Sequence, residues 1–388
     1  SFDVVFRVYD DGIGFRYEFP DQPQLKDVVI DDELTEFDIA PPATAWWIPA
    51  GEWNRYEYLY NRTPLVEVGQ VHTPMTIRTA DGMHMAFHEA ALVDYSSMWL
   101  RRVEGQRFRA QLAPAAGGWK VRRTAPFHTP WRTLRVAESA AALYESNLEL
   151  NLNEPNALGD VSWFVPAKYV GVWWELHLEL TTWATGPRHG ATTANTRRYI
   201  DFAAKHGFRG VLVEGWNTGW DGQWFGNGND FNFTQSAPGF DLEGLAAYAK
   251  QKGVHLVGHH ETGGAVSHYE SQLGPALDLY GRLGVDVVKT GYVADAGQVE
   301  RNDGDGVVRR EWHDGQWMSR HHLKVVTEAA ARHIAINPHE PIKDTGLRRT
   351  YPNWVAREGA RGMEYNAWGN PPNPPEHEAN LVFTRMLS

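Results

Sequence analysis

The sequence predicts a multidomain fold in which an N-terminal antiparallel β-sandwich is followed by a (β/α)8 barrel of the TIM type. The chain has 388 residues, which is enough for two or three domains of ordinary size. Apolar and polar residues alternate as far as about residue 165, whereas short apolar strands alternate with helical segments beyond it. We therefore place a β-sandwich domain at residues 1–165 and a barrel domain at residues 166–388.

The first half of the chain has the pattern of short strands separated by turn residues. Every second residue is apolar over 2–8, the turn Asp10-Asp11-Gly12 follows, and the alternation resumes over 13–19, which predicts a β-hairpin. Gly, Pro and Asp residues separate the further predicted strands, which include 74–79, 83–87, 108–112, 131–136 and 148–152. Strands this short, with turns between them, are typical of an antiparallel sandwich.

In the second half, apolar strands and helices follow one another in strict alternation, which predicts a parallel sheet covered by helices. The predicted strands are 170–176, 210–216, 254–260, 285–290, 334–339 and 362–368. The predicted helices are 193–206, 242–252, 270–283, 318–333, 351–361 and 375–387. A full barrel needs eight strand–helix units in roughly 250 residues. Because six are found, we expect a barrel whose last two units are missing from a chain truncated at both ends.

Composition excludes several classes of function. The formal net charge of −11 argues against nucleic-acid binding, which requires a basic face. The absence of cysteine excludes disulfides, zinc–thiolate sites and a thiol nucleophile. No window has the roughly 18 uncharged apolar residues of a membrane span, and no signal peptide is visible. The 17 tryptophans exceed what a core needs and predict stacking on ligands, while monomer and homo-oligomer both remain open.

Polar residues follow the apolar strands of the second half, at the point where each strand ends. In a barrel the carboxyl ends of the strands surround the active site. A buried Glu or Lys is costly unless it is paired, so six such endings predict one shared polar pocket rather than six separate structural ion pairs. These endings are Trp173-Trp174-Glu175, Glu214-Gly215-Trp216-Asn217, His259-His260-Glu261, Lys289-Thr290, His339-Glu340 and Glu364-Tyr365-Asn366.

Several glutamates without cysteine fit two kinds of chemistry. Two carboxyl groups with separated pKa values can hydrolyse a glycosidic bond, one protonating the leaving oxygen and the other activating water. Surplus glutamate also suits a hard cation such as Ca²⁺. Zinc is disfavoured, because the adjacent His259 and His260 point to opposite faces of a strand, so that one ring enters the pocket and the other packs outward.

These strand endings and their neighbours resemble glycoside hydrolase family 97. That family contains calcium-dependent α-glucosidases and α-galactosidases, and the resemblance implies a β-super-sandwich, a catalytic barrel and a further small β domain beyond this chain. By family analogy we expect a periplasmic or secreted bacterial protein. The segments that carry the resemblance are 168–175, 212–220, 258–264, 288–292, 339–343 and 357–368, together with 88–90 and 151–155 in the first half.

The resemblance also implies roles for individual residues. Glu364 is expected to be the general acid, with Glu261 and Glu340 positioning and deprotonating the attacking water. The expected calcium ligands are Glu340, Glu358, Glu364 and, from the first half, Glu89. The residues expected to contact sugar are His259, His260, Lys289, His339, Glu214 and Trp216, although Glu214 could instead brace the barrel and Trp216 could belong to the core. For Glu358 the alternative is an ordinary ion pair with Arg357 or Arg361.

One position distinguishes the two stereochemical branches of the family. The retaining branch carries a Lys-x-Asp motif in which the Asp is the nucleophile, whereas this chain has Lys289-Thr290-Gly291. Because glycine cannot attack an anomeric carbon, we expect an inverting, Ca²⁺-dependent α-glucosidase acting on α-linked, malto-oligosaccharide-like substrates. The alternatives are a retaining α-galactosidase and a sugar-binding remnant without activity.

Overall fold

The structure is a computed structural model that describes residues 1–387, so that Ser388, the end of the predicted second domain, lies outside the described residues. Its first half is rich in β-strands. These strands are β1 (Asp3–Tyr9), β2 (Gly12–Phe19), β3 (Asp27–Ile30), β4 (Glu36–Asp38), β5 (Ala43–Trp47), β6 (Asn61–Pro64), β7 (Gln70–His72), β8 (Met75–Thr79), β9 (His84–Ala90), β10 (Met98–Glu104), β11 (Arg107–Leu112), β12 (Val121–Thr124), β13 (Phe127–His128) and β14 (Trp131–Ala137).

Two large antiparallel sheets build most of this half, and a third, small one pairs β3 with β12. The larger has the order β1-β2-β14-β9-β8-β5-β6, with β13 paired to β2, and the smaller has the order β4-β11-β10-β7. Ile77 and Phe87 of the first sheet and Leu100 and Phe108 of the second belong to one buried apolar cluster. The predicted hairpin is present, with Val8 opposite Ile13. The antiparallel β-rich first half is therefore confirmed.

The strand predicted at residues 148–152 is wrong. The segment forms helix α2 (Leu148–Asn151), preceded by α1 (Ala140–Glu145). Leu148 and Leu152 are four residues apart, so a helix places both on one face, where they pack against Ala90 and Trp131. Residues four apart share a face in a strand as well as in a helix, so the pair Leu148 and Leu152 fits both, and only Leu150 between them favoured the strand.

The second half alternates strands with helices, but the strand predicted at 170–176 ends at Gly171 and residues 173–177 form a short helix, so Trp173, Trp174 and Glu175 do not end a strand. Its strands are β15 (Tyr169–Gly171), β16 (Gly210–Leu212), β17 (Asn217–Thr218), β18 (Asn232–Ser236), β19 (His255–Glu261), β20 (Val287–Gly291), β21 (Val299–Asn302), β22 (Val308–Glu311) and β23 (Ala335–Pro338). Its helices are α3 (Trp173–His177), α4 (Thr193–His206), α5 (Leu242–Gln251), α6 (Val266–Leu283), α7 (Gln316–Ala330), α8 (Tyr365–Trp368) and α9 (Pro375–Leu381). None of the helices within residues 1–387 has the length and apolarity required to cross a membrane.

Five of these strands form a parallel sheet in the order β15-β16-β19-β20-β23. The long helices α4 to α7 connect successive strands, and Gly207 and Gly284 end α4 and α6 in the left-handed conformation. A parallel sheet in chain order with helical crossovers is the arrangement expected of a barrel. The carboxyl ends of β16, β19, β20 and β23 consequently lie along one edge of the sheet.

Two elements near the end of the chain differ from prediction. The segment 351–361 lacks the predicted helix, and one parallel bridge joins its Trp354 to Ile336 of β23. The predicted strand 362–368 is a loop followed by α8, and its Met363 and Trp368 are exposed rather than buried. Polar contacts explain the loop, because Arg361 donates to the carbonyl of Pro371 and stacks over Tyr365.

A buried ion-pair network joins the two halves. Lys343, which follows β23, places its Nζ 2.7 Å from Glu89 Oε1 and 2.6 Å from the carbonyl oxygen of Met98. The other oxygen of Glu89 lies 2.6 Å from the guanidinium of Arg132, the residue directly opposite it on β14. Arg132 in turn pairs with Glu33 at 2.6 Å. Because Glu89, Arg132 and Lys343 are fully buried, each charge depends on its partners for compensation.

We expect Glu89→Ala to lower the free energy of unfolding by about 3–5 kcal/mol, because it leaves Lys343 buried without its carboxylate. Urea unfolding of the two proteins measures this loss. The control is Glu36→Ala, which removes a partly exposed ion pair with Arg109 and should cost about 0–1 kcal/mol. Equal losses in the two variants would contradict the role given to Glu89.

Candidate functional site

A cavity of about 1380 Å³ opens at the carboxyl ends of the parallel strands. Eight of the residues predicted from the sequence line it, and they come from five different segments of the second half. These are Glu214, His259, Glu261, Lys289, His339, Glu340, Glu358 and Glu364. The first half contributes a loop between β5 and β6 that brings Asn54, Arg55 and Glu57 to the cavity wall. Aromatic side chains complete the wall, among them Trp173, Trp183, Trp220 and Trp224.

One part of the wall is a buried ion pair between neighbouring strand ends. Lys289 Nζ lies 2.5 Å from Glu214 Oε1, and His259 Nε2 lies 3.7 Å from the same oxygen. Burial alone would raise the pKa of Glu214, but the ammonium group of Lys289 lowers it. Burial lowers the pKa of His259 to about 3. The neutral imidazole of His259 thus lies beside the ion pair of Lys289 and Glu214. Together the three side chains offer both hydrogen-bond donors and acceptors to a polar ligand.

Glu261, at the end of β19, is held by backbone amides. Its Oε1 accepts hydrogen bonds from the N–H groups of Gly263 at 2.7 Å and Val293 at 3.1 Å. A Cβ atom on Gly291 would lie 1.8 Å from Glu261 Oε2, so glycine is required at that position for this carboxylate to fit. Burial and the neighbouring carboxylate of Glu340 raise the pKa of Glu261 to about 8.

Glu340 lies beside Glu261 with its backbone in the left-handed region at a φ of 46°, which is unfavourable for a residue with a side chain. Its Oε2 accepts a hydrogen bond of 2.8 Å from the backbone N–H of Tyr292. Burial and the charge of Glu358 raise the pKa of Glu340. Glu261 and Glu340 therefore oppose each other's ionisation, and the cation-free pair retains a proton more strongly than isolated carboxylates do.

Glu364 is not at a strand end but in the loop directly before α8. His177 donates a hydrogen bond of 3.0 Å to the backbone carbonyl of Glu364, and the ring of His177 is stacked on Trp173. Burial, together with the charges of Glu358 and Glu340, raises the pKa of Glu364 to about 8. In the cation-free chain Glu364 is therefore a protonated acid near neutral pH.

Three carboxylates in the cavity are close enough to share a cation. Oxygen atoms of Glu57, Glu358 and Glu364 all lie within 4.8 Å of one another. Burial and the charge of Glu358 raise the pKa of Glu57 well above its ordinary value. His339 Nδ1 lies 3.1 Å from Glu358 Oε2 and, against the effect of burial, lowers the pKa of Glu358 to about 2. An oxygen-only donor set with this much unbalanced negative charge fits Ca²⁺.

Glu57 was missed by the sequence analysis. It stands in a loop between two short strands, outside any recognisable motif, and nothing local distinguishes it from a solvated glutamate. Its position depends on long-range contacts, because Tyr365 of α8 hydrogen-bonds through its hydroxyl to Glu57 Oε2 at 3.2 Å and accepts from Asn54 at 2.8 Å.

The structure corrects the metal role predicted for Glu89. This carboxylate is fully buried in the ion-pair network between the halves, and it also accepts from the backbone N–H of Met98 at 2.7 Å. With Arg132 and Lys343 on its two oxygens, it is already neutralised and lies apart from Glu57, Glu358 and Glu364. The carboxylate that the first half contributes to the cavity is Glu57 rather than Glu89.

Two predicted sugar contacts, His260 and Trp216, lie behind the cavity wall. His260 points to the opposite side of β19 from His259, where its Nδ1 lies 3.0 Å from the hydroxyl of Tyr269. Trp216 donates to the carbonyl oxygen of His259 at 2.8 Å and packs on Tyr280. Both His260 and Trp216 therefore belong to the core. Successive side chains of a strand point to opposite faces, so only one of the two adjacent histidines, His259, faces the cavity.

Glu358 does not make the arginine ion pair considered for it, within the part of the chain that the structure describes. Arg357 pairs instead with Asp344 at 3.1 Å and stacks over Trp354. The partner of Glu358 is His339.

Two family models match the chain. One, described as Glycoside hydrolase 97, matches residues 173–360, and the other, described as Glycosyl-hydrolase 97 N-terminal, matches residues 1–155. Together they cover the antiparallel half that contributes Glu57 and four of the five strands of the parallel sheet, β16, β19, β20 and β23, whereas β15 and Glu364 lie outside the matched residues.

Solved structures and a curated relative agree with these matches. A glycoside hydrolase family 97 enzyme from Pseudoalteromonas sp. strain K8 in complex with acarbose is 57% identical with a TM-score of 0.98, over 100% of this chain and 59% of that one. A variant from the same strain in complex with panose is 56% identical with the same TM-score and coverage. A retaining alpha-galactosidase of Bacteroides thetaiotaomicron is 24% identical over 100% of this chain and 58% of its own. The chain thus spans less than two thirds of these relatives.

We expect Glu261→Gln to stabilise the cation-free protein by an amount that grows as the pH rises from 5 to 8. A carboxyl whose pKa is raised to about 8 on folding supports the folded state while it keeps its proton, and this contribution is lost as the pH rises. Glutamine mimics the protonated form and can still accept both amide hydrogen bonds through one oxygen. The effect is measured as the difference between the melting temperatures of the two proteins in chelator at each pH. Taking the difference cancels the contribution of histidine titration, which both proteins share. A difference that is constant over this range contradicts the prediction.

We expect Ca²⁺ to raise the melting temperature of the wild type, and Glu57→Gln and Glu358→Gln to remove most of that rise. A ligand at a hundred times its Kd stabilises the folded state by roughly 2.7 kcal/mol, so the loss is measurable by thermal unfolding with and without calcium. The control is Glu89→Gln, which should lower the melting temperature but preserve the rise on calcium addition. A rise that depends on Glu89 and not on Glu57 would restore the role predicted from the sequence.

Proposed function

The chain belongs to glycoside hydrolase family 97, and we propose that its protein removes terminal α-glucosyl residues from malto-oligosaccharide-like substrates with inversion at the anomeric carbon. The observation that carries this proposal is geometric: Glu364 lines the same cavity as the carboxyl pair Glu261 and Glu340. Hydrolysis of a glycosidic bond by inversion requires one carboxyl group that donates a proton and another that accepts one.

Glu364 is the proposed general acid. Burial and the charges of Glu358 and Glu340 raise its pKa in the cation-free chain, and burial is the contribution that favours the protonated, proton-donating form. The hydrogen bond from His177 to its backbone carbonyl fixes the loop that carries it. In the proposed reaction Glu364 transfers this proton to the glycosidic oxygen as the bond to the anomeric carbon breaks.

Glu261 and Glu340 are the proposed base. Backbone amides fix one oxygen of each, which leaves the other oxygen of each carboxylate to orient a water molecule. The ionised member of the pair accepts a proton from the water as it attacks the anomeric carbon on the face opposite the leaving group. The raised pKa of Glu261 makes it a stronger base than an exposed glutamate once it is ionised.

The proposed place for the terminal sugar is the wall formed by Glu214, His259 and Lys289. The ammonium of Lys289 and the neutral imidazole of His259 both lie within 3.7 Å of Glu214 Oε1, so that a cation, a carboxylate and a neutral ring stand side by side. Vicinal hydroxyl groups both donate and accept hydrogen bonds, and a mixed array of this kind can bind them. His339 lies at the edge of this wall and orients Glu358 at the same time.

Inversion rather than retention is supported by the fit of Glu261 against Gly291. A retaining mechanism needs a carboxylate nucleophile, and in the retaining branch an Asp is expected where this chain has Gly291. Any side chain at that position would collide with Glu261, as the 1.8 Å distance from a hypothetical Cβ to Oε2 shows. Retention thus needs an Asp at position 291, whereas inversion needs a residue there that leaves room for Glu261. This chain has Gly291, which leaves that room.

We propose that Ca²⁺ is held by Glu57, Glu358 and Glu364, with Glu340 as a further candidate ligand beside them. When bound, calcium would offset the like charges of the glutamates and polarise an adjacent oxygen. The contact with His339 lowers the pKa of Glu358, which favours the ionised carboxylate that a cation binds.

The glucoside assignment is supported by the solved structures of high identity. Their ligands, acarbose and panose, are oligosaccharides built on glucose-like rings. The relative described as a retaining alpha-galactosidase is only 24% identical, which favours the glucoside reading. Retaining α-galactosidase activity remains the second candidate because that relative matches the full length of this chain.

We expect the calcium-loaded protein to hydrolyse maltose with initial release of β-glucose, as observed by proton NMR. Glu364→Gln should lower kcat on maltose by about 10²–10⁴-fold, because general acid catalysis contributes that much. The same variant should lose less on p-nitrophenyl α-glucoside, whose leaving group needs little protonation. Glu376→Gln, an exposed glutamate on α9, is the control and should retain activity.

Each other outcome points to a different function. Initial release of the α-anomer contradicts inversion, and preference for p-nitrophenyl α-galactoside supports the second candidate. Sugar binding without turnover in the calcium-loaded protein would indicate a binding protein and overturn the proposed hydrolysis.

A further inference from the structure

One short loop holds both carboxylates of the proposed base. Directly after β20, the backbone N–H of Tyr292 donates to Glu340 Oε2 at 2.8 Å. The next N–H, that of Val293, donates to Glu261 Oε1 at 3.1 Å. The residue before them, Gly291, leaves the space that the other oxygen of Glu261 occupies. The separation and direction of the two carboxylates therefore depend on where the backbone at 291–293 lies.

The side chain of Tyr292 anchors this loop from behind. Tyr292 is fully buried in an apolar cluster with Val266, Val299 and Met318, and its hydroxyl lies 2.9 Å from Nε2 of His321 on α7. Its backbone carbonyl accepts a further hydrogen bond of 2.9 Å from Nε2 of His313. The residue is thus held at its amide, its carbonyl and its side-chain hydroxyl.

The direction of the hydroxyl contact is set by a third residue. His321 Nδ1 lies 2.7 Å from Oε1 of Glu270 on α6, and the other carboxylate oxygen lies 2.7 Å from Nζ of Lys324. A carboxylate only accepts, so Nδ1 carries the proton. Burial lowers the pKa of His321, which keeps the ring neutral and leaves Nε2 as an acceptor for the Tyr292 hydroxyl.

We propose that Glu270, His321 and Tyr292 form a positioning unit that sets the geometry of Glu261 and Glu340 through the backbone amides at 292 and 293. The unit acts through the loop, since none of its side chains lines the cavity in the part of the chain that the structure describes. It links helices α6 and α7, which cover the parallel sheet, to the proposed base at the carboxyl ends of its strands. This inference rests on the proposed function.

A neighbouring pair shows what distinguishes this unit from core packing. Tyr269 is as buried as Tyr292, and its hydroxyl also meets a histidine, His260, at 3.0 Å. Neither Tyr269 nor His260 donates a backbone hydrogen bond to Glu261 or Glu340 among the described residues. Loss of either tyrosine hydroxyl leaves a buried histidine nitrogen without a partner and has a similar expected cost in stability.

The test compares Tyr292→Phe with Tyr269→Phe in the calcium-loaded protein. We expect Tyr292→Phe to lower kcat on maltose by roughly 10–100-fold with KM within about twofold, because small displacements of catalytic groups have effects of this size. Tyr269→Phe should keep kcat within about twofold. Glu270→Gln, which removes the charge that orients His321, should reproduce the effect of Tyr292→Phe in part.

Hydrogen exchange gives a second measurement that does not require turnover. The amides of Tyr292 and Val293, followed by mass spectrometry well below the melting temperatures, should exchange at least about tenfold faster in Tyr292→Phe than in the wild type. Tyr269→Phe should leave their exchange unchanged. Equal losses of kcat in the two variants, or unchanged amide exchange in Tyr292→Phe, would overturn the inference. If the wild type hydrolyses no glycoside, the proposed function fails, and the exchange measurement still decides whether the unit anchors the loop.

Discussion

A fully buried carboxylate, Glu89, lies between Arg132, its cross-strand neighbour on β14, and Lys343, which follows the last strand of the parallel sheet. Lys343 is three residues beyond Glu340, so the ion pair fixes the start of the loop that carries half of the proposed base. The backbone N–H of Lys343 also donates to the hydroxyl of Tyr56, next to Glu57. Since an unpaired buried charge is costly, the antiparallel half and the parallel half can each reach their observed positions only together. The cavity between them depends on this constraint.

The cavity itself concentrates like charges that a folded chain ordinarily keeps apart. Glu57, Glu261, Glu340, Glu358 and Glu364 all line it, and their mutual repulsion and burial raise the pKa values of four of the five. Glu358 is the exception, because His339 stabilises its charged form. Retained protons and a bound cation each reduce the repulsion within such a cluster. Both also have a role in the proposed hydrolysis. The proposed general acid needs a retained proton, and the proposed calcium site would supply the cation.

The site could be predicted from the sequence wherever a polar residue directly follows an apolar strand. Glu214, His259, Glu261, Lys289, His339 and Glu340 were found in this way, because parallel strands in chain order bring their carboxyl ends to one edge. Glu364 was predicted in the same way, although the strand predicted before it is a loop and a short helix, and Glu358 was found through family resemblance. Glu57 could not be found, since its position results from contacts with Tyr365, about three hundred residues away in the chain. The role predicted for Glu89 failed for the same reason, as its partners Arg132 and Lys343 are brought to it by folding.

The sequence by itself determined the class of each half and most of the carboxylates that line the cavity, because backbone periodicity and the position of a residue relative to a strand end are local properties. Tertiary structure decided which side of a strand faces the cavity, so that His259 lines it while His260 and Trp216 pack behind it. It also decided that the segment predicted as a strand at 148–152 forms a helix, since the spacing of Leu148 and Leu152 suits both structures and their packing on Ala90 and Trp131 selects the helix. The physical reason is common to these cases: a local pattern states what a segment can bury, whereas the partner against which it is buried comes from distant parts of the chain.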